Sequence, residues 1–216
     1  MGKVKKKWLF WENSEDIELV ASLLCQDKIG ICSTDTLYGF LGNLTQASFE
    51  RINQLKGGRS GKPYIVLTSC RALSGHGSTG SPRAAGGENS ARLEACWPGP
   101  LTIIFKASEG TPNFIAPDGT VAMRCPDHAG LQKLLEKFDG LFSTSANRSG
   151  KEAPATKEAI DEELLDEVDF LITDKVVDKG EPSTIIDCST GVVKLVRAGA
   201  YPIEEIERYY GKKIER

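Results

Sequence analysis

Gly30-Ile31-Cys32-Ser33-Thr34-Asp35-Thr36-Leu37-Tyr38-Gly39 changes character after its fourth residue. The opening residues are small or apolar and read as a short buried strand, and Thr34-Asp35-Thr36 reads as the polar turn that follows. Ligands of α/β sheets gather at strand ends, so this stretch predicts both a sheet and a site. On its N-terminal side, Ile17, Val20, Ala21, Leu23 and Leu24 recur at helical spacing behind Asn13-Ser14, an N-cap with acids in the first turn. On its C-terminal side, Phe49, Ile52 and Leu55 mark a second helix ending near Gly57-Gly58. Further out, the apolar runs at 64–68, 101–105, 121–125, 170–173, 184–187 and 192–196 have strand length. Leu131, Leu134, Leu135 and Phe138 share a helix face, and Pro202 opens a last helix over 203–209. Strands alternate with helices throughout, which predicts an α/β fold with a mixed, twisted sheet.

The chain has 216 residues, enough for one well-cored domain. We read residues 1–13 as a basic tail, 14–200 as the domain and 201–216 as a C-terminal helix. Residues 74–89 are rich in Gly, Ser and Ala and read as a mobile loop. No apolar run approaches the roughly 20 residues of a membrane span. Trp8-Leu9-Phe10-Trp11 is too short for the apolar part of a signal peptide, so a cytoplasmic, membrane-free protein is expected. The formal net charge of −3 argues against a dedicated nucleic-acid binder. The 6 cysteines are dispersed and lack a Cys-x-x-Cys pair, and in a reducing compartment they read as small core side chains. With only 2 histidines and no G-x-S-x-G turn, a hydrolytic triad is unsupported.

Several segments carry chemistry. Lys56-Gly57-Gly58-Arg59-Ser60-Gly61-Lys62-Pro63 sets cations among glycines, which suits an anion approached by backbone N–H groups. It is not a P-loop, because the glycine spacing is wrong and Pro63 stands where a hydroxyl should hold Mg²⁺. A solvated basic turn is the plainer alternative. Ser143-Thr144-Ser145-Ala146-Asn147-Arg148-Ser149-Gly150 delivers hydroxyls and an amide into a turn, suited either to phosphate and ribose oxygens or to its own backbone. Arg124 lies in an apolar strand and needs an anionic partner, either a ligand or an internal carboxylate. Cys125 and His128 could be half of a zinc site, but no second half follows, and His128 reads better as a helix start. Ser183-Thr184 opens one strand and Arg197 ends another.

Taken in order, Ser33-Thr34-Asp35-Thr36-Leu37-Tyr38-Gly39, the basic loop, Trp97-Pro98-Gly99-Pro100-Leu101-Thr102, the strand ending at Arg124, Ser143-Thr144-Ser145-Ala146-Asn147 and Pro182-Ser183-Thr184-Ile185-Ile186-Asp187 resemble the YrdC-like threonylcarbamoyl-AMP synthase family. The resemblance covers about residues 14–200 and is similar to the short, single-domain kind. It implies a large twisted mixed sheet with flanking helices around a basic cavity. It also implies a nucleotidyltransferase that joins L-threonine, bicarbonate or CO₂, and ATP into threonylcarbamoyl-AMP and pyrophosphate. The product would pass to a downstream tRNA threonylcarbamoyl transferase complex that modifies the adenosine next to the anticodon; direct tRNA contact is left open. By position, Lys56, Arg59 and Lys62 would face the triphosphate, with Lys56 and Lys62 as the catalytic cations. Thr36, Arg124, Thr144 and Thr184 would hold threonine or its carbamate, and Ser145, Ala146, Asn147 and Arg197 the nucleotide. Mg²⁺ would arrive with ATP, since no carboxylate cage is visible.

Two departures from the family pattern stand out: Gly57-Gly58 places Arg59 one position late, and Ser33 replaces a usual proline. Read as a loop cation, Lys56 should be dispensable for stability, so Lys56→Ala should abolish turnover and spare the fold. The competing expectations are a non-enzymatic double-stranded RNA- or tRNA-binding protein of the same fold, motivated by the lysines at 3–7, and a carbamoyl-adenylate-forming relative. The net charge and the lack of stacking aromatics near the basic loop weigh against RNA binding. Carbamoyl-adenylate formation usually belongs to much larger chains.

Overall fold

The computed structural model describes residues 8–58, 64–72, 88–174 and 180–216. Its strands are β1 (Trp8–Phe10), β2 (Gly30–Cys32), β3 (Gly39–Asn43), β4 (Ile65–Leu67), β5 (Leu101–Lys106), β6 (Thr120–Arg124), β7 (Leu141–Ser145), β8 (Phe170–Thr173), β9 (Thr184–Asp187) and β10 (Lys194–Arg197). Its helices are α1 (Ser14–Leu24), α2 (Gln46–Leu55), α3 (Glu88–Glu94), α4 (Ala129–Leu135), α5 (Glu162–Glu167) and α6 (Ile203–Tyr210). The strands form one sheet in the order β1-β8-β2-β3-β7-β4-β6-β5-β9-β10. Pairing is parallel at β1–β8, β8–β2, β4–β6 and β5–β9 and antiparallel elsewhere, so the sheet is mixed as expected.

The period-2 alternation of strand side chains divides the core into two layers. Ile31, Phe40, Val66 and Phe142 enter one cluster, which is closed by Ile52 and Leu55 of α2, Leu93 of α3, Leu164 of α5 and Ile206 of α6. Their chain neighbours Cys32, Leu41, Leu67 and Leu141 enter the other, which is closed by Ile17, Val20 and Leu24 of α1 and Leu131, Leu134 and Leu135 of α4. Burying strands on both faces explains their near-continuous apolar composition. The local signals hold the helix starts. Asn13 accepts from Glu15 N at α1, Thr45 from Ser48 N at α2, and His128 from Leu131 N at α4.

Several boundaries differ from the sequence reading; β10 runs Lys194–Arg197 where 192–196 was expected. Trp8–Phe10 is not tail but the edge strand β1, paired with β8. Glu88 and Asn89, at the end of the segment read as a loop, begin α3; the loop's residues 74–87 lie outside the described residues. Only Ile203–Tyr210 of the C-terminal segment is helical; beyond it Ile214 is buried and Glu215 bridges to Lys194 of β10. The helix stops at Gly211, in the left-handed conformation that terminates helices.

Candidate functional site

The β2–β3 turn organises the site. Thr34 Oγ1 donates to Leu37 O at 2.8 Å and accepts from Thr36 N at 3.1 Å, so the turn is held by its own hydroxyl. Beyond it lies Arg124, at the C-terminal end of β6 and 5% exposed. Arg124 Nη1 donates to Thr36 Oγ1 at 2.8 Å, Nη2 to Asp35 Oδ1 at 2.5 Å, and Nε to Gly99 O at 3.3 Å. Asp35 Oδ2 accepts from Asp127 N at 3.1 Å. Strands β7 and β4 separate β3 from β6, a span of about 14 Å at ordinary strand spacing. The turn therefore reaches across the sheet. The anionic partner that Arg124 needs is internal: Asp35, which the sequence reading had placed in the turn without a role. Three of the guanidinium's five N–H donors are taken within the described residues, and its fork is fixed before any ligand arrives.

Lys56 joins the basic loop to the serine-rich turn. It caps the C-terminus of α2, and Gly57 and Gly58 follow with φ of 76° and 115°, a left-handed pair that turns the chain away from the helix. Lys56 is no surface loop cation, being 5% exposed. Its Nζ donates to Ser145 O and Asn147 O, each at 2.9 Å, and approaches Asn147 Oδ1 at 3.5 Å. Ser149 N returns a bond to Lys56 O at 3.0 Å. Burial lowers the ammonium to about 8. The expectation that Lys56→Ala would spare the fold is corrected: removing the ammonium strands two buried carbonyls. Arg59 and Lys62 lie outside the described residues.

Asn147 serves mainly the turn itself. Its Nδ2 donates to Arg148 O at 3.0 Å and Lys151 O at 2.6 Å. Ala146 is buried, and its N–H donates to Tyr38 O at 3.0 Å. Thr144 and Ser145 are half-buried, and their hydroxyls make no hydrogen bond among the described residues, which leaves them available to a ligand. Because Gly39 pairs with Ser145, and Thr36 lies three residues before Gly39, one turn places the Arg124 group beside the Lys56 group.

Thr184 is held differently from the expectation. It is 1% exposed, and its hydroxyl donates to Tyr201 O at 2.7 Å and accepts from Tyr201 N at 3.1 Å. Its donor and one of its two acceptor positions are spent on the backbone of Tyr201, so this geometry makes it a clasp for the segment entering α6. Arg197 donates from Nε and Nη2 to Ser183 O, at 3.1 and 2.7 Å. No carboxylate pairs with it among the described residues. Burial and then the field of Arg124 lower its guanidinium from the ordinary value, which places the two cations within electrostatic reach. An anion between them would relieve that repulsion. Gly180 closes the arrangement: a Cβ there would overlap the Thr36 carbonyl.

A second polar group braces the turn from behind. Ser33 Oγ donates to Asp174 Oδ2 at 2.6 Å and accepts from Trp11 Nε1 at 3.0 Å. His128 Nε2 lies 3.1 Å from both Asp174 oxygens while its Nδ1 accepts from Leu131 N, which fixes the tautomer with the proton on Nε2. Burial raises the Asp174 carboxyl, but the bonds from His128 and Ser33 outweigh it and the net shift is downward. Among the described residues no group of three or more His, Cys, Asp or Glu could hold a metal, and no helix is long and apolar enough to cross a membrane.

The family model for Sua5, YciO and YrdC proteins, described as telomere recombination, matches residues 22–199. A Methanocaldococcus jannaschii protein, provisionally named a threonylcarbamoyl-AMP synthase, is 32% identical over 200 residues, 91% of this chain and 92% of its own. The threonylcarbamoyl-AMP synthase of Pyrococcus abyssi is 30% identical over 91% of this chain, which spans only 57% of that relative's length. The crystal structure of P. abyssi Sua5 complexed with L-threonine superposes with a TM-score of 0.85 at 27% identity, over 97% of this chain and 62% of that one.

Proposed function

This chain belongs to the Sua5, YciO and YrdC family, and on that footing we propose that it is a nucleotidyltransferase that makes threonylcarbamoyl-AMP from L-threonine, bicarbonate or CO₂, and ATP. The observation that carries the reading is the pre-set fork of Arg124 beside Thr36, with Arg197, which meets no carboxylate among the described residues, within its field. That combination suits a small carboxylate next to a polyphosphate. The similarity to a Sua5 that binds L-threonine supports threonine as the amino acid.

In the proposed reaction the threonine amine adds to CO₂ and loses a proton to give a carbamate. A carbamate oxygen attacks the α-phosphorus of ATP in line, the bond to the bridging oxygen breaks, and pyrophosphate leaves. No protein nucleophile is needed; orientation and charge neutralisation dominate. Arg124 and Thr36 orient the threonine carboxylate, and the half-buried hydroxyls of Thr144 and Ser145 face the carbamate and nucleotide. Lys56 shapes the turn that presents those hydroxyls and contributes positive charge beneath it. Asn147 and Ala146 fix the same turn, and Arg59 and Lys62 are assigned to the triphosphate on family position. Mg²⁺ enters as part of the MgATP substrate, because Asp35, the carboxylate that the described residues bring to Arg124, is already engaged by Arg124 and Asp127 N.

The product would serve a tRNA threonylcarbamoyl transferase. Pyrophosphate release from ATP and bicarbonate tests this against each amino acid in turn. Release above background with threonine alone is the expected result, and equal release with every amino acid would overturn the assignment of substrate.

A further inference from the structure

Cys70 and Cys125 stand 55 residues apart in the chain, yet their sulphurs lie 2.8 Å apart. The sheet brings them together. Strands β4 and β6 are parallel neighbours with Leu67 opposite Arg124, and Thr68 N continues the ladder to Arg124 O at 2.9 Å. Cys125 is the first residue past β6 and Cys70 the third past β4. Gln132 of α4 fixes both: its Oε1 accepts from Cys70 N at 3.0 Å, and its Nε2 donates to Pro126 O at 2.7 Å and to Cys125 Sγ at 3.4 Å. All six cysteines are thiols.

Exposure differs between the two. Cys125 is wholly buried, whereas Cys70 is half-buried and open to a small reagent. Burial, then the neighbouring Cys70, pushes the Cys125 thiol up, so Cys70 is the sulphur that meets an oxidant first.

We propose that Cys70 and Cys125 form a reversible disulfide modification site whose oxidant is a small peroxide. The Cys70 thiolate attacks one peroxide oxygen, the O–O bond breaks, and Cys70 becomes a sulfenic acid as water leaves. Cys125 Sγ then attacks Cys70 Sγ; the S–O bond breaks, the S–S bond forms, and the oxygen departs as a second water carrying the Cys125 proton. Two thiols lose two electrons in total, and the peroxide gains them. The sulphurs close from 2.8 Å to an ordinary bond of about 2.05 Å, so proximity compensates for the weak nucleophilicity of a buried thiol. The crosslink forms on the residue next to Arg124 and shifts the strand end that aims its fork at Thr36 and Asp35. This modification is independent of which reaction the site performs.

The test uses the full reduced chain, treated with hydrogen peroxide, alkylated and mapped without reduction. The linked Cys70–Cys125 peptide should exceed any other crosslink about tenfold, and dithiothreitol should reverse it. In Cys125→Ser the link is absent and Cys70 advances to the sulfinic and sulfonic acids; in Cys70→Ser, a change at the less buried position, Cys125 remains a thiol. Recovery of both wild-type cysteines as alkylated thiols while the exposed Cys25 is oxidised would overturn the proposal. So would over-oxidation of Cys70 to the same extent in wild type and Cys125→Ser.

Discussion

Arg124 is fixed at three points by Thr36, Asp35 and Gly99, and a lysine cannot reproduce that fork. Arg124→Lys is therefore expected to lower kcat/KM for threonine about 100-fold, a loss of about 3 kcal/mol in transition-state binding, measured by pyrophosphate release with circular dichroism unchanged. Arg124→Ala should also destabilise the fold by about 3 kcal/mol in chemical denaturation, because it leaves the Asp35 carboxylate without its cation. Lys56 makes a prediction of pH. Its folded value, lowered by burial to about 8, lies below the unfolded value of 10.5. Between those values the unfolded chain holds the proton that the folded chain has shed, so the Lys56 contribution makes stability rise with pH through that window. Lys56→Met should flatten this part of the profile in thermal melts taken from neutral to alkaline pH. The charge itself is lost over the same range, so ATP affinity of the wild type should fall as pH passes about 8, which calorimetric titration reads. At this scale the sequence exposed the right residue types but not their partners. Arg124 in an apolar strand announced a buried cation, yet nothing in residues 34–36 announced that Asp35 would satisfy it. Those two positions meet only through the sheet.

Thr184 and Tyr201 show how elements, rather than residues, assign roles. The hydroxyl of Thr184 both donates to and accepts from the backbone of Tyr201, and so anchors β9 to the segment leading into α6. Thr184→Val should cost about 2 kcal/mol in thermal or denaturant unfolding and leave KM for threonine near wild type. A raised KM with unchanged stability would return Thr184 to the substrate site. The long, periodic elements were legible: Asn13 and His128 do cap helices, and the apolar runs at 64–68, 101–105 and 170–173 do lie in the sheet. Short elements escaped for physical reasons. β1 has only three residues and exists because β8 pairs with it. β3, Gly39-Phe40-Leu41-Gly42-Asn43, carries two glycines and an asparagine, the chemistry of a turn. α5 is a six-residue, acid-rich helix whose single buried side chain, Leu164, is too little for a periodic signal.

Over the whole molecule, the ten-stranded sheet does what no single motif could. It folds the β2–β3 turn onto the end of β6, carries the serine-rich turn to Lys56, and sets Arg197 within the field of Arg124. The resulting group of cations and hydroxyls sits in a chain of net charge −3, a balance that argues against a dedicated nucleic-acid binder. Isotope-labelled bicarbonate tests the central claim most directly. Incubated with the protein, MgATP and L-threonine, the label is predicted to enter an adenylate whose mass equals threonylcarbamoyl-AMP, in amounts equal to the pyrophosphate released. Absence of any labelled adenylate and of pyrophosphate, together with salt-sensitive binding of structured RNA, would contradict it.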